Sequence, residues 1–403
     1  MSDSLPIFNE TSAYSLAFVA FIGVVAVTAS RTLLPKTASW QDKFTFIWLA
    51  FDAGIHFVFE GSFLYYSLFG RQVNTSSGPL AQMWKDYARA DARWGFADPT
   101  IVSMEILTVL GAGTTSLYVL KKLIQDDPAR HYWIVVLSTA ELYGGWMTFA
   151  PEWVSGSQYL TTSNAFHLWV YLVFMNVIPS CYFSFGSPSQ QPAVTPAMSQ
   201  FTATSAYALT SISAVGVAAI VATRRLLPKT ASVKDKFTFI WLAFDVGIHA
   251  AFDSAFLYFS LFGRQVNTSA GPLAQLWKDY ARADARWGVA DPTIVSMELI
   301  TVIGTGATIL YIMQKLVQDD PARHYWIIVL CTAELYGGWM TFAPEWLSGS
   351  QNLNTGDAFY LWVYLFFLNT IWVFVPIWLM FDSYRYIARS LRVLQKAERA
   401  KKA

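Results

Sequence analysis

The chain is poor in cysteine, in charge and in the short motifs that mark soluble enzymes. Only Cys181 and Cys331 occur, both inside apolar runs, so neither a disulfide framework nor a metal cluster is expected. Charged residues make up 14% of its 403 positions, against about 25% in soluble domains. That is too little polar surface for a fold that lives in water. A net charge of +1 gives no electrostatic sign of nucleic acid, and no such partner is expected. There is no Gly-rich phosphate loop, no H-E-x-x-H and no G-x-S-x-G. Those chemistries are therefore weakly supported. The start, "MSDSLPIFNETS", has no basic n-region, and no cleaved signal peptide is expected.

What is present is apolar and aromatic, 54% and 17% of the residues. Several runs approach the ~20 residues that cross a bilayer, so the class is an all-α, polytopic membrane protein. The chain also repeats itself. "LLPKTASWQDKFTFIWLAFD" at 33–52 returns as "LLPKTASVKDKFTFIWLAFD" at 226–245, and "TAELYGGWMTFAPEW" at 139–153 returns unchanged at 332–346. The register never slips: His56 and His249 are 249 − 56 = 193 positions apart, as are Glu105 and Glu298, Glu141 and Glu334, and Asn176 and Asn369. The expected domains are a first repeat over 1–185, a Pro/Ser/Gln linker over 186–203, and a second repeat over 204–403 with a basic tail. The pair reads as an internal pseudo-dimer.

Each repeat offers five candidate spans, about ten in all; in the first they lie near 13–33, 45–69, 99–121, 131–150 and 166–185. "LAQMWKDYARADARWG", between the second and third, reads as an interfacial helix or cap. Trp84, Trp94, Trp146, Trp153 and Trp169 suit belts at the water interface. Arg31, Lys36, Lys43, Lys121, Lys122 and Arg130 fall on one side, and the sequons at Asn9 and Asn74 on the other, which puts the N-terminus in the lumen. The second repeat asks for the same orientation. Five is an odd number, so either one span is not a crossing or one copy inserts against its charge bias.

Ionisable groups inside spans cost about 2.5–3.5 kcal/mol each on insertion scales and are functional by default. "FDAGIHFVFEGSF" at 51–63 sets Asp52, His56 and Glu60 four apart on one helix face, and "FDVGIHAAFDSAF" repeats the ladder as Asp245, His249 and Asp253. Two readings stand: a proton-handling array, or a polar cluster that locks helices together. The first is favoured, because three aligned groups occur twice. Glu105 and Glu298 lie mid-span, where a carboxyl is either protonated or paired with the histidine of the neighbouring helix as an acid/base couple; a purely structural hydrogen bond is the competing reading. Glu141 and Glu334 lie beside Gly144-Gly145 and Gly337-Gly338, which permit close helix packing. Both fifth spans keep an asparagine, Asn176 and Asn369; three residues on stand Pro179 and Trp372. An indole facing a site can hold a developing cation, although an isolated Trp is more often lipid-facing or core. His131 and His324 follow "DDPAR" at a loop edge and read as interfacial. His167 becomes Tyr360 in the second copy, against a shared role.

"HFVFEGSF", "QMWKDYARADARWGFADPTIVSMEILT", "ELYGG" and "LWVYLVFMNVI" resemble the emopamil-binding protein family, the sterol Δ8–Δ7 isomerases of the EXPERA membrane domain. The resemblance covers almost all of each repeat. It implies five transmembrane helices around a membrane-embedded cavity, in the endoplasmic reticulum. It also implies a double-bond shift in a lipophilic substrate by protonation and deprotonation, without redox cofactor or metal. By position, His56, Glu60 and Glu105 match the family's proton-transfer cluster, and Asn176 its polar residue on the last helix. In the second repeat the matches are His249, Glu298 and Asn369, and Trp372 matches the Trp that faces the carbocation.

Neither copy matches fully. The first has Pro179 where the Trp belongs, and the second shortens the glutamate to Asp253. Asp52, Asp245, Glu141 and Glu334 are acids at positions where the sterol isomerases are not expected to carry them. The leading expectation is a membrane isomerase of a sterol or terpenoid. A second is an acid-type cyclase or rearrangement enzyme for a terpenoid or meroterpenoid, and a third, from another class, is a non-catalytic sterol-binding protein.

Overall fold

The computed structural model describes residues 10–174 and 203–402. Asn176, Pro179, Cys181 and the joint between the repeats lie outside the described residues. Among the described residues the architecture is helical, with only isolated bridges of extended chain. In a bilayer a helix satisfies its own backbone polar groups, so apolar spans of this length settle as helices. Among the described residues, eight helices are long and apolar enough to cross a membrane. The described chain forms two compact units, one of residues 10–148, 157–174 and 388–402, the other of 149–156 and 203–387.

In the first unit, α1 (Glu10–Leu33) precedes α2 (Trp40–Gly54). The Ser39 hydroxyl starts α2 by accepting the Asp42 N–H at 3.0 Å. The helix then widens into a π-helical turn over Ile55–Glu60 before α3 (Gly61–Ser67), all one span. Next come α4 (Pro79–Tyr87) and α5 (Arg93–Phe96), which form the expected cap. The third span is α6 (Pro99–Ile106), a second π turn over Leu107–Gly113 and α7 (Thr114–Ile124). α8 (Arg130–Ser155) follows, and then a π-helical stretch over His167–Phe174.

The second unit repeats this order. It runs α9 (Ala203–Leu226), α10 (Val233–Ile248), a π turn over His249–Asp253 and α11 (Ser254–Ser260). α12 (Pro272–Tyr280) is the cap helix, followed by α13 (Pro292–Ile300), a π turn over Thr301–Thr305 and α14 (Gly306–Val317). α15 (Arg323–Leu347), a π stretch over Tyr360–Phe367 and α16 (Leu368–Lys402) complete it. Its core packs Phe239, Leu242, Ile309, Ile312 and Leu330 with the half-buried Trp372.

Three expectations change. Trp84 and Trp94 are not belt residues: both are buried, their rings stacked 4.9 Å apart and 3° from parallel. The Trp84 indole donates to the Phe59 carbonyl at 3.1 Å, pinning the cap beneath the π turn. Trp277 and Trp287 do the same in the second copy, 4.8 Å apart. His324 is not interfacial but buried, stacked on Tyr386 at 4.0 Å and within 3.2 Å of the Ser383 hydroxyl. Its counterpart His131 is exposed. Finally, a Cβ at Gly338 would meet nothing within 4 Å, so this glycine makes no close helix contact.

A buried ion pair fixes the cap in each copy. Arg93 donates two hydrogen bonds to Asp91, at 3.0 and 2.7 Å, and one to the Thr148 carbonyl of α8 at 2.5 Å. Arg286, Asp284 and Thr341 repeat the arrangement. Burial pushes the Asp284 carboxyl above its ordinary range, against the pull of Arg286.

Candidate active site

The π turns carry the ionisable ladder. In an α-helix an N–H returns to the carbonyl four residues back. Here the Gly61 N–H reaches His56 O, and the Ser254 N–H reaches His249 O, each five back. The extra residue in the turn sits at the histidine, and such widenings recur at functional sites.

In the first unit His56 is buried between two carboxylates of its own helix. Its Nδ1 lies 2.5 Å from Glu60 Oε2 and its Nε2 3.1 Å from Asp52 Oδ2. Asp52 also accepts a hydrogen bond from the Ser116 hydroxyl of α7 at 3.2 Å. In the second unit His249 Nδ1 lies 2.6 Å from Asp253 Oδ2, and Nε2 3.2 Å from Asp245 Oδ1. Asp245 is fully buried and accepts a hydrogen bond from the Trp372 indole at 2.8 Å. That indole packs against Trp241 and Phe244, with centroids 5.6 and 6.0 Å away. The expected ladder is thus present in both copies, and Trp372 belongs to it.

Of the two states open to Glu105 and Glu298, protonated or paired with the histidines, no hydrogen bond of the second kind is present among the described residues. Nδ1 of each histidine is hydrogen-bonded to an acid of its own helix, while Nε2 lies close to the other acid without a hydrogen bond among the described residues. Glu105 and Glu298 are buried, and the Oε2 atom of each has no hydrogen-bond partner among the described residues. Each is left with one carboxyl oxygen uncommitted beside the His–acid pair.

Glu141 reaches the first cluster: ligating atoms of Asp52, His56 and Glu141 all lie within 4.8 Å of one another. An imidazole with two carboxylates at that spacing could ligate a divalent cation. The geometry alone does not assign one, because the same groups also suit the sharing of protons. In the second unit the buried oxygens of Glu334, and Oδ2 of Asp245, have no hydrogen-bond donor among the described residues.

Asn369 lies in the first turn of α16. Its amide donates to the Tyr364 and Leu365 carbonyls at 2.8 and 3.2 Å, and to the Tyr280 hydroxyl at 3.2 Å. It occupies carbonyls that the π stretch leaves open. Burial pushes the Tyr280 phenol, on the cap helix, above its ordinary range, so it stays a neutral partner.

Comparison with known proteins gives a consistent answer. The profile of EXPERA (EXPanded EBP superfamily) matches residues 79–179 and 272–383. The chain is 31% identical over 170 residues to a 3-beta-hydroxysteroid-Delta(8),Delta(7)-isomerase of Cavia porcellus, covering 41% of this chain and 73% of that protein. It is 24% identical over 143 residues to a protoglabretal synthase of Ailanthus altissima, covering 35% of this chain and 63% of the relative. It is 22% identical over 172 residues to an isomeliandiol synthase of Melia azedarach, covering 42% and 74%.

Proposed function

Because the chain belongs to the EXPERA family, we propose that it is a membrane-embedded intramolecular isomerase or cyclase of a sterol or terpenoid, working by proton addition, carbocation and proton loss. The observation that carries this is an imidazole held between two carboxylates inside a membrane span, beside a buried carboxyl with a free oxygen. That set can give a proton on one side and take one on the other. The relatives, named as a sterol isomerase and terpenoid synthases, supply the substrate class.

The second copy is proposed as the working site. His249 and Asp253 hold the proton to be given, and Glu298, through its uncommitted Oε2, receives the one removed. A proton adds to one alkene carbon, leaving a cation at its neighbour. In an isomerase an adjacent C–H then loses its proton and the double bond reforms one bond away. In a cyclase a second alkene attacks the cation first, forming a C–C bond, and the proton leaves afterwards. Either way one proton enters and one departs, so the molecular formula is unchanged. The Trp372 ring stabilises the cation, for which such contacts are worth about 2 kcal/mol when desolvated. Asn369 is proposed to shape the same wall through the π stretch and Tyr280.

The test is expression of the full chain in a strain lacking its sterol Δ8–Δ7 isomerase. Membranes are assayed with a 3β-hydroxy-Δ8-sterol and with a farnesyl chain bearing a terminal epoxide. Δ7-sterol or a cyclised alcohol supports the proposal and chooses between its arms. Saturable binding of the sterol with turnover of neither substrate would overturn it in favour of a carrier.

The same reading proposes residence in the endoplasmic reticulum, which a fluorescent fusion tests. It also proposes that repeats 1–185 and 204–403 do in one chain what two five-helix subunits would do. Co-expressed separate halves that regain turnover support this; halves that never do so speak against it.

A further inference from the structure

Asp245 touches both working parts of the proposed site, and the described structure gives it too little positive charge. Its Oδ1 accepts the Trp372 indole N–H at 2.8 Å and lies 3.2 Å from His249 Nε2. Its other oxygen is buried without a donor, as are both oxygens of Glu334, the carboxyl that interacts with it from α15. Cys331, one turn earlier on α15, also faces Glu334. The remaining charged groups of the cluster, Asp253 and Glu298, are further acids. One imidazolium cannot neutralise four carboxylates in a dry site, and two facing carboxyls without a donor between them relieve their repulsion by sharing a proton.

The first copy keeps the same pair with different support. Asp52 and Glu141 again lie together beside His56. There the donor to the aspartate is Ser116 at 3.2 Å. Position 309, the counterpart of Ser116, is isoleucine, and position 179, the counterpart of Trp372, is proline. Each copy therefore supplies its deep aspartate with one neutral donor, and the two copies do so from different helices.

We infer that Asp245 and Glu334 form a proton-sharing carboxyl pair that positions both His249 and Trp372, the proton donor and the cation-facing ring of the reaction proposed above. Asp245 and Glu334 are positioning residues. The pair presents one negative charge to the imidazole, which keeps a proton on Nε2 and leaves the mobile proton at Nδ1, toward Asp253. The indole N–H bound to the same carboxyl sets the direction of the ring. The first copy retains the joint but attaches a hydroxyl to it, so among the described residues it is the second copy that places an aromatic face there. This rests on the acid–base reading and adds to it the origin of the geometry.

The experiment uses the full chain in membranes, with whichever of the two substrates it converts. Glu334→Gln replaces the shared proton by an amide N–H that does not titrate, whereas Glu334→Leu supplies no donor. Glu334→Gln is expected to keep turnover within about threefold and to lose the alkaline limb of the pH–kcat profile; Glu334→Leu is expected to lose at least tenfold in kcat with KM little changed. An unaltered alkaline limb in Glu334→Gln overturns the shared proton. Glu298→Gln, made in parallel, separates the two layers: full activity there sinks the acid–base reading. A dead Glu298→Gln beside an unchanged pH profile in Glu334→Gln sinks only the pair. Infrared spectra give a readout independent of turnover. Absorption of protonated carboxyls should fall in the Glu141→Gln/Glu334→Gln protein, and an unchanged band refutes the pair whatever the activity.

Discussion

The indole nitrogen of Trp372 donates to Asp245 at 2.8 Å, across 127 positions of sequence. This bond ties the ring that could face a cation to the carboxylate that flanks the histidine. A ring held only by packing is free to rock within its contacts, whereas one held at its N–H has a fixed face. The difference matters because cation–π attraction depends on the cation lying over the ring.

Trp372→Phe keeps an aromatic face but removes the donor. A hydrogen bond to a charged group contributes about 1.5–3 kcal/mol, so kcat should fall about 10- to 100-fold, with a smaller change in KM. Trp372→Ala should lose more, since the face goes as well. Equal kcat for wild type and both variants, measured in the same membranes, would remove the ring from the mechanism.

Chelation should do nothing. Asp52, His56 and Glu141 are spaced closely enough to ligate an ion, yet the proposed chemistry moves only protons. Membranes treated with a strong chelator and washed are expected to keep full turnover. Loss of activity that added zinc restores would instead make the first cluster a metal site.

Much of this was legible in the chain and some was not. Hydropathy and the shortage of charge announce membrane helices, and the spacing of Asp52, His56 and Glu60 places them on one face. The widened turn at His56 was hidden, because a shift of one residue in backbone bonding leaves the side-chain pattern intact. No hydrogen bond joins Glu105 to His56 among the described residues: the imidazole Nδ1 is taken by Glu60 of its own helix, and neither spacing nor hydropathy announces that choice. Trp84 and Trp94 misled because an aromatic cap and an aromatic belt have the same composition. The bond from Trp372 to Asp245 could not be read from spacing at all, since it depends on which faces of two distant helices meet.

Tight packing behind the first histidine gives a contrast between the copies. A Cβ at Gly113 would meet the Phe57 ring at 3.1 Å and His56 Cβ at 3.3 Å, but at Gly306 the only neighbour is the Thr301 carbonyl at 3.9 Å. Gly113→Ala must therefore displace the histidine's helix, at about 1–3 kcal/mol for overpacking, while Gly306→Ala fits. Thermal unfolding in detergent should show a lower midpoint for the first variant only.

The cap pair makes a sharper stability prediction. Arg286 is buried against Asp284 and the Thr341 carbonyl. Arg286→Met would leave Asp284 buried without its cation, at about 3–5 kcal/mol. The expected result is a much lower unfolding midpoint. Asp284→Asn/Arg286→Met, which removes the stranded carboxylate too, should recover part of it. No recovery in the double variant would show that the arginine's bond to α15, rather than the ion pair, holds the cap.

The two buried glutamates should part company in activity although their surroundings look alike. Glu105 and Glu298 each keep a partnerless Oε2 beside a histidine flanked by two acids. If the acid/base set alone made a catalyst, Glu105→Gln and Glu298→Gln would cost the same. Only the second copy, among the described residues, adds an indole to the cluster, and a cation formed without such a ring is the less stabilised one. Glu298→Gln is therefore expected to lower kcat by about 10²–10⁴-fold, the range for a positioned acid or base. Glu105→Gln should stay within about threefold. Paired assays on equal amounts of folded protein decide this. Comparable losses in the two variants would mean that both copies work, and that the ring at position 372 is not what separates them.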